Sequence, residues 1–142
     1  MITSTQQLNA TKKQISMLQE SLLEKKESSN SILARSAMFQ VEAQITELEN
    51  EVEEYENLKR KGIEAIDVDS LEFEDLLLIP IKYRIATNQS CEEFGREVQV
   101  AGRAILKYEL EEYANVNVAT LKKIFSKIPL KLNIGLKEAE RA

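Results

Sequence analysis

Apolar residues recur along most of this chain at steps of three and four, the spacing that places them on one face of a helix. The longest such stripe is Ala34, Met38, Val41, Ile45, Leu48, Val52 and Tyr55, an alternation of four and three that reads as a coiled-coil seam. A helix over 31–60 is about 45 Å long at 1.5 Å per residue, so it needs a partner along its length. Leu8, Ile15 and Leu22 repeat every seven residues with Leu18 between them, which predicts an earlier helix capped by Ser4 or Thr3. The stretch KKESSNS at 25–31 has no apolar residue and predicts a turn, so the first helix is expected to fold back on the second as an antiparallel hairpin. Met17, Leu23, Phe39 and Leu58 lie off the seam and offer a second apolar surface, either for self-association or for packing on the rest of the same chain.

Gly62 is expected to end the second helix, with Lys59, Arg60 and Lys61 opposing the dipole of its last turn. The run IEAIDVDS that follows nearly alternates apolar and acidic residues, which suits a short strand or a packed linker. Ser70 or Asp69 then caps a helix through Leu71, Phe73, Leu76 and Leu77, and Pro80 predicts a break or kink before the next one. The densest local code comes next, NQSCEEFGREVQVAGRAILKYE at 88–109. Ser90 followed by Glu93 is a capping box, so a helix starts there and carries Phe94 and Val98 inward. Gly95 leaves room for a second helix to cross closely. Val100, Ile105 and Tyr108 continue the apolar pattern into a second short helix, whose other face holds Arg103 and Lys107.

From Ile81 to Leu132 the chain resembles the Cro/lambda-repressor (XRE) type of helix-turn-helix domain. The resemblance rests on Ile81 and Ile85 of a first helix, Asn88 in the turn, Ser90, Glu92, Glu93 and Phe94, then Val98, Val100 and Ile105. Tyr108 and Glu109 match the pair that closes the recognition helix, and NVNVATLKKIFSKIPLKL fits the usual sequel with Leu121, Ile124 and Ile128 buried. The resemblance implies that the second short helix enters the major groove. There Arg103 would donate to guanine O6/N7 and Lys107 to a base or phosphate. Gln99 and Asn88 would add hydrogen bonds at the edge, and Lys82, Arg84 and Arg96 would touch phosphates. Cys91 stands where the family usually has Gln, Gln99 where it has Gly, and Ala101 followed by Gly102 where a Ser usually opens the recognition helix. These departures remove a phosphate-binding hydroxyl and a side-chain cap. They leave a second reading open, a protein-interaction module with a degenerate helix-turn-helix.

Composition narrows the chemistry. With no histidine, the commonest general base is missing, and one cysteine flanked by Glu92 cannot build a structural zinc site or a disulfide. Four scattered glycines make no phosphate loop, so neither an enzyme nor a cofactor is expected. The longest apolar run, 76–81, contains Pro80 and is far too short to span a bilayer, and the first ten residues lack the features of a secretory leader. A cytoplasmic protein is therefore expected. Net charge is −5, but residues 1–80 carry 8 Lys/Arg against 16 Asp/Glu while residues 81–136 carry 9 against 6. The basic surplus thus falls on the helix-turn-helix segment, where a phosphate-seeking surface needs it. The acidic run Glu47, Glu49, Glu51, Glu53, Glu54 and Glu56 falls on the arm.

The sequence reading is thus an all-α protein with a helical hairpin arm at 1–61, a linker at 62–70, a lambda-repressor-like domain at 71–136 and a tail at 137–142. The function expected of it is that of a small regulator that binds double-stranded DNA as a homodimer. The family resemblance also admits an antitoxin-like role, in which the arm holds a toxin or another protein.

Overall fold

Helix caps and apolar stripes set the element boundaries in the computed structural model, which describes residues 1–28 and 32–135. Among these residues the chain is all-helical: α1 (Thr5–Ser28), α2 (Ile32–Lys61), a 3-10 turn (Gly62–Ala65), α3 (Phe73–Ala86), α4 (Cys91–Val98), α5 (Gly102–Leu110) and α6 (Val118–Phe125). No described helix is long and apolar enough to cross a membrane. The chain divides into two compact units, Met1–Glu56 and Asn57–Ala142.

In the first unit, Ser4 caps α1 by accepting a hydrogen bond from the Gln7 backbone N–H at 3.1 Å. The start of the chain is tied to the later turns of α2. The Met1 amino group pairs with Glu51 at 3.2 Å, the Thr5 hydroxyl meets the Tyr55 hydroxyl at 3.4 Å, and Lys12 pairs with Glu56 at 2.9 Å. Every seam residue from Ala34 to Tyr55 is at least partly buried, with Ile45 and Tyr55 fully so. Met17, Leu23 and Phe39 point outward, as their off-seam positions predict. Residues 25–28 of the expected turn are helical, as the last residues of α1, and residues 29–31 lie outside those described.

In the second unit, Leu58 takes one of the two uses its off-seam position left open: it is only 2% exposed, three residues beyond Tyr55 on α2, and so packs within the chain. A correction concerns α3. Ser70 adopts a left-handed backbone and Leu71 forms an isolated bridge, so the helix starts only at Phe73, with the Glu72 N–H donating to the Asp75 carboxylate at 3.1 Å. Nor does Pro80 break it; α3 runs straight through. Proline inside a helix costs about 3 kcal/mol. Here it lies between Ile79 and Ile81, both fully buried, and Tyr83 and Ile85 are buried one turn on, so packing around the whole circumference holds the helix together. The segment 63–70 is no strand. Its end is instead hydrogen-bonded to the segment after α6, through Asn133 N–H to the Val68 carbonyl at 2.8 Å and Leu71 N–H to the Asn133 carbonyl at 3.0 Å.

The turn between α4 and α5 is tight for a steric reason. A Cβ on Gly95 would overlap the Val100 carbonyl and crowd the Gly102 backbone, so only glycine lets the two helices approach this closely. Gln99 closes α4 in the left-handed conformation, at φ 60° and ψ 43°. These two positions should respond oppositely in thermal unfolding. Gly95→Ala should destabilise by about 1–3 kcal/mol through overpacking, whereas Gln99→Gly, which relieves the strained φ, should stabilise by roughly 0.5–1 kcal/mol. Equal melting temperatures for the two variants would contradict the turn geometry.

Candidate nucleic-acid interface

Two short helices build the site, and only the first of them, α4, carries a side-chain cap. Ser90 Oγ accepts from the Glu93 N–H at 3.1 Å and the Ser90 N–H donates to the Glu93 carboxylate at 3.2 Å, so the box starts α4 where the sequence places it. Those bonds hold the Glu93 carboxyl below its ordinary pKa. Phe94 and Val98 are fully buried, with Tyr83 packed against Phe94 at 6.1 Å between ring centres. α5 has no side-chain cap at Ala101. It is anchored by Ile105, which is fully buried, and by Glu109, which is 5% exposed.

Glu109 receives Arg84 of α3 in a buried, bidentate pair, with Nε to Oε2 at 2.5 Å and Nη2 to Oε1 at 2.7 Å. Arg84 Nη1 also donates to the Gln89 carbonyl at 2.9 Å, in the turn before α4. One guanidinium thus ties α3, the α3–α4 turn and the far end of α5. Burial by itself would lower its pKa, but the bonds and charge of Glu109 more than offset this and leave it above the ordinary arginine value. The expectation that Arg84 touches a phosphate is therefore corrected: its donors face a buried carboxylate and a carbonyl. The sequence carried a signal for this, since Arg84 follows Ile81 by three and Glu109 follows Ile105 by four, which puts both on inward faces.

Beside this pair lie two further polar groups. Tyr113 is 1% exposed and its hydroxyl has no hydrogen-bond partner among the described residues; burial, then the Glu109 charge, raises its pKa. Cys91, half-buried at the start of α4, has its thiol pushed up by burial and by Glu109, against a smaller opposing effect of Arg84. That keeps the sulfur protonated and unreactive at neutral pH.

The other predicted residues separate into two groups. Arg96 and Arg103 come together with Glu92, Val100, Ala101 and Gly102 around an open groove of about 430 Å³ at the start of α5. Gly102 lets the Glu92 backbone approach, since a Cβ there would sit 3.0 Å from the Glu92 Cα. Gln99 is exposed in the adjoining turn, its carbonyl held by Lys123 Nζ of α6 at 2.8 Å, a role the lysine-rich pattern of that helix did not indicate. Lys107 is exposed one turn further along α5, and neither its side chain nor that of Arg103 makes a hydrogen bond or ion pair to any described residue. Asn88 and Lys82 do not line the groove. Asn88 accepts a hydrogen bond from Lys59 Nζ at 2.8 Å, and Lys82 is half-buried on α3.

The outward face of α5 also holds two residues absent from the expected set. Leu106 and Leu110 follow Arg103 by three and seven and are 52% and 71% exposed. Glu109 is the only acid in α5, and it faces inward. The surface offered is consequently cationic and apolar, with no carboxylate of its own helix upon it. No family model matches the chain, and no curated protein or solved structure gives a significant match.

The buried pair makes a sharp energetic prediction. Arg84→Met or Glu109→Leu alone should each cost about 3–5 kcal/mol, because each strands a buried charge. The double variant should recover most of that loss in denaturant unfolding. Additive losses would show that the two groups act independently.

Proposed function

We propose that this chain is a small DNA-binding regulator of the Cro/lambda-repressor helix-turn-helix type, with α4 and α5 as the motif and α5 as the helix that enters the major groove. The observation that carries the reading is the outward face of α5: Arg103 and Lys107 stand exposed one turn apart on a helix whose only acid is buried, beside a groove that also holds Arg96. A face of this kind suits phosphate attraction and guanine recognition. The tight Gly95 turn, the capping box and the Arg84–Glu109 clamp support it by fixing α5 on α3 and α4.

The N-terminal unit is read as an antiparallel helical hairpin of α1 and α2, supported by the ties from Met1, Thr5 and Lys12 to the later turns of α2. Its outward Met17, Leu23 and Phe39 suit self-association, which in a dimer would set two α5 helices about 34 Å apart, one turn of DNA. Its acidic face suits an antitoxin-like contact with a basic protein. A second reading, an interaction module that does not bind DNA, is favoured by Leu106 and Leu110 on the same face of α5 and by the missing cap at Ala101.

Fluorescence anisotropy on duplex DNA over a range of salt concentrations decides between the two. The regulator should show log affinity falling linearly with log salt, and Lys107→Ala, if it removes one phosphate contact, should reduce that slope by about 1. Arg103→Ala should cost about 1–3 kcal/mol at a site containing its guanine and little elsewhere. A wild-type protein with no salt-dependent binding would leave the interaction module as the reading.

A further inference from the structure

On α5, Arg103, Leu106, Lys107 and Leu110 occupy positions i, i+3, i+4 and i+7, which fall on one face of the helix. The cations explain attraction to a polyanion, but they do not explain a leucine between them. Leu106 is half-exposed, at 52%, and is wedged in sequence between the two residues that would reach base edges. The major groove offers one apolar feature, the C5 methyl of thymine, and apolar side chains recognise thymine through it.

Resting on the DNA-binding reading above, we propose that Leu106 is a specificity-determining residue that packs on a thymine methyl next to the guanine read by Arg103. The charge of the face selects the partner: two cations whose side chains pair with no described residue flank the leucine, and α5 itself turns no carboxylate outward. Glu92 of α4 is outnumbered at the groove by Arg96 and Arg103, a balance that fits a methyl-bearing duplex. Three helical residues advance about 4.5 Å along the axis, and successive base pairs rise about 3.4 Å. The thymine should therefore lie within two base pairs of the guanine. Leu106 adds no charge, so its contribution should be insensitive to salt, unlike that of Lys107.

The test begins with selection of duplexes from a random pool by the full-length chain, followed by replacement of each enriched thymine with deoxyuridine, which lacks only the methyl. One replacement should weaken wild-type binding about three- to fourfold, the effect of exposing one buried methyl. The same replacement should have no effect on Leu106→Ala, whose selected sites should lose thymine at that position while keeping guanine. Because the deletion is made on the DNA, the wild-type arm does not depend on how the variant folds. Equal affinity for thymine and deoxyuridine duplexes at every enriched position, with the salt slope intact, would overturn the methyl contact and leave the DNA reading standing. A loss of self-association in Leu106→Ala by sedimentation, with thymine preference unchanged, would assign the leucine to a protein interface and also overturn it. Absence of any salt-dependent duplex binding would overturn both.

Discussion

The bidentate contact between Arg84 and Glu109 is the constraint on which the second unit depends. Both groups are almost fully removed from water, and each would be costly without the other. Because the pair joins α3 to the last turn of α5, and the same guanidinium holds the Gln89 carbonyl, it fixes the helix that carries Arg103 and Lys107 relative to the helix beneath it. An apolar contact at this point would tolerate sliding. The planar guanidinium meeting two carboxylate oxygens does not, since it specifies direction as well as distance.

The same contact shapes the surface by what it withdraws. α5 contains one carboxylate, and burying it against Arg84 leaves the outward face with Arg103, Leu106, Lys107 and Leu110. Around the start of that helix, close approach takes the place of capping. Gly95 allows Val100 and Gly102 to press against α4, Lys123 holds the Gln99 carbonyl, and Ala101 contributes no hydroxyl. The groove that results is bordered by Arg96 and Arg103. On the proposed reading it is the geometry of these backbones, rather than a serine side chain, that presents the helix to DNA.

Helix identity was written plainly in the chain. The seam from Ala34 to Tyr55, the cap at Ser4, the box at Ser90 and the end of α2 at Gly62 all act within a few residues, and local hydrogen bonds and periodicity fix them wherever the rest of the protein lies. Exposure of Arg103 and Lys107 followed from the same periodicity, given buried Ile105. Pro80 shows where local rules stop, because burial of Ile79 and Ile81 overrides a residue that would end a helix in water. Ser70 is similar: a good capping residue is passed over because the chain there is hydrogen-bonded through Leu71 and Val68 to Asn133, far along the sequence.

By itself, then, the sequence determined the helical character of the described residues, the caps at Ser4 and Ser90 and the face that α5 turns outward, since each of these depends on neighbours within two helical turns. Only the tertiary structure decided that Arg84 is a buried clamp and not a phosphate contact, that Leu58 belongs to a core, and that Arg96 and Arg103 border one groove. Those assignments depend on which distant residue comes within reach. Register could place Arg84 and Glu109 on inward faces, but only the fold brings a carboxylate 25 positions away to receive the arginine's donors.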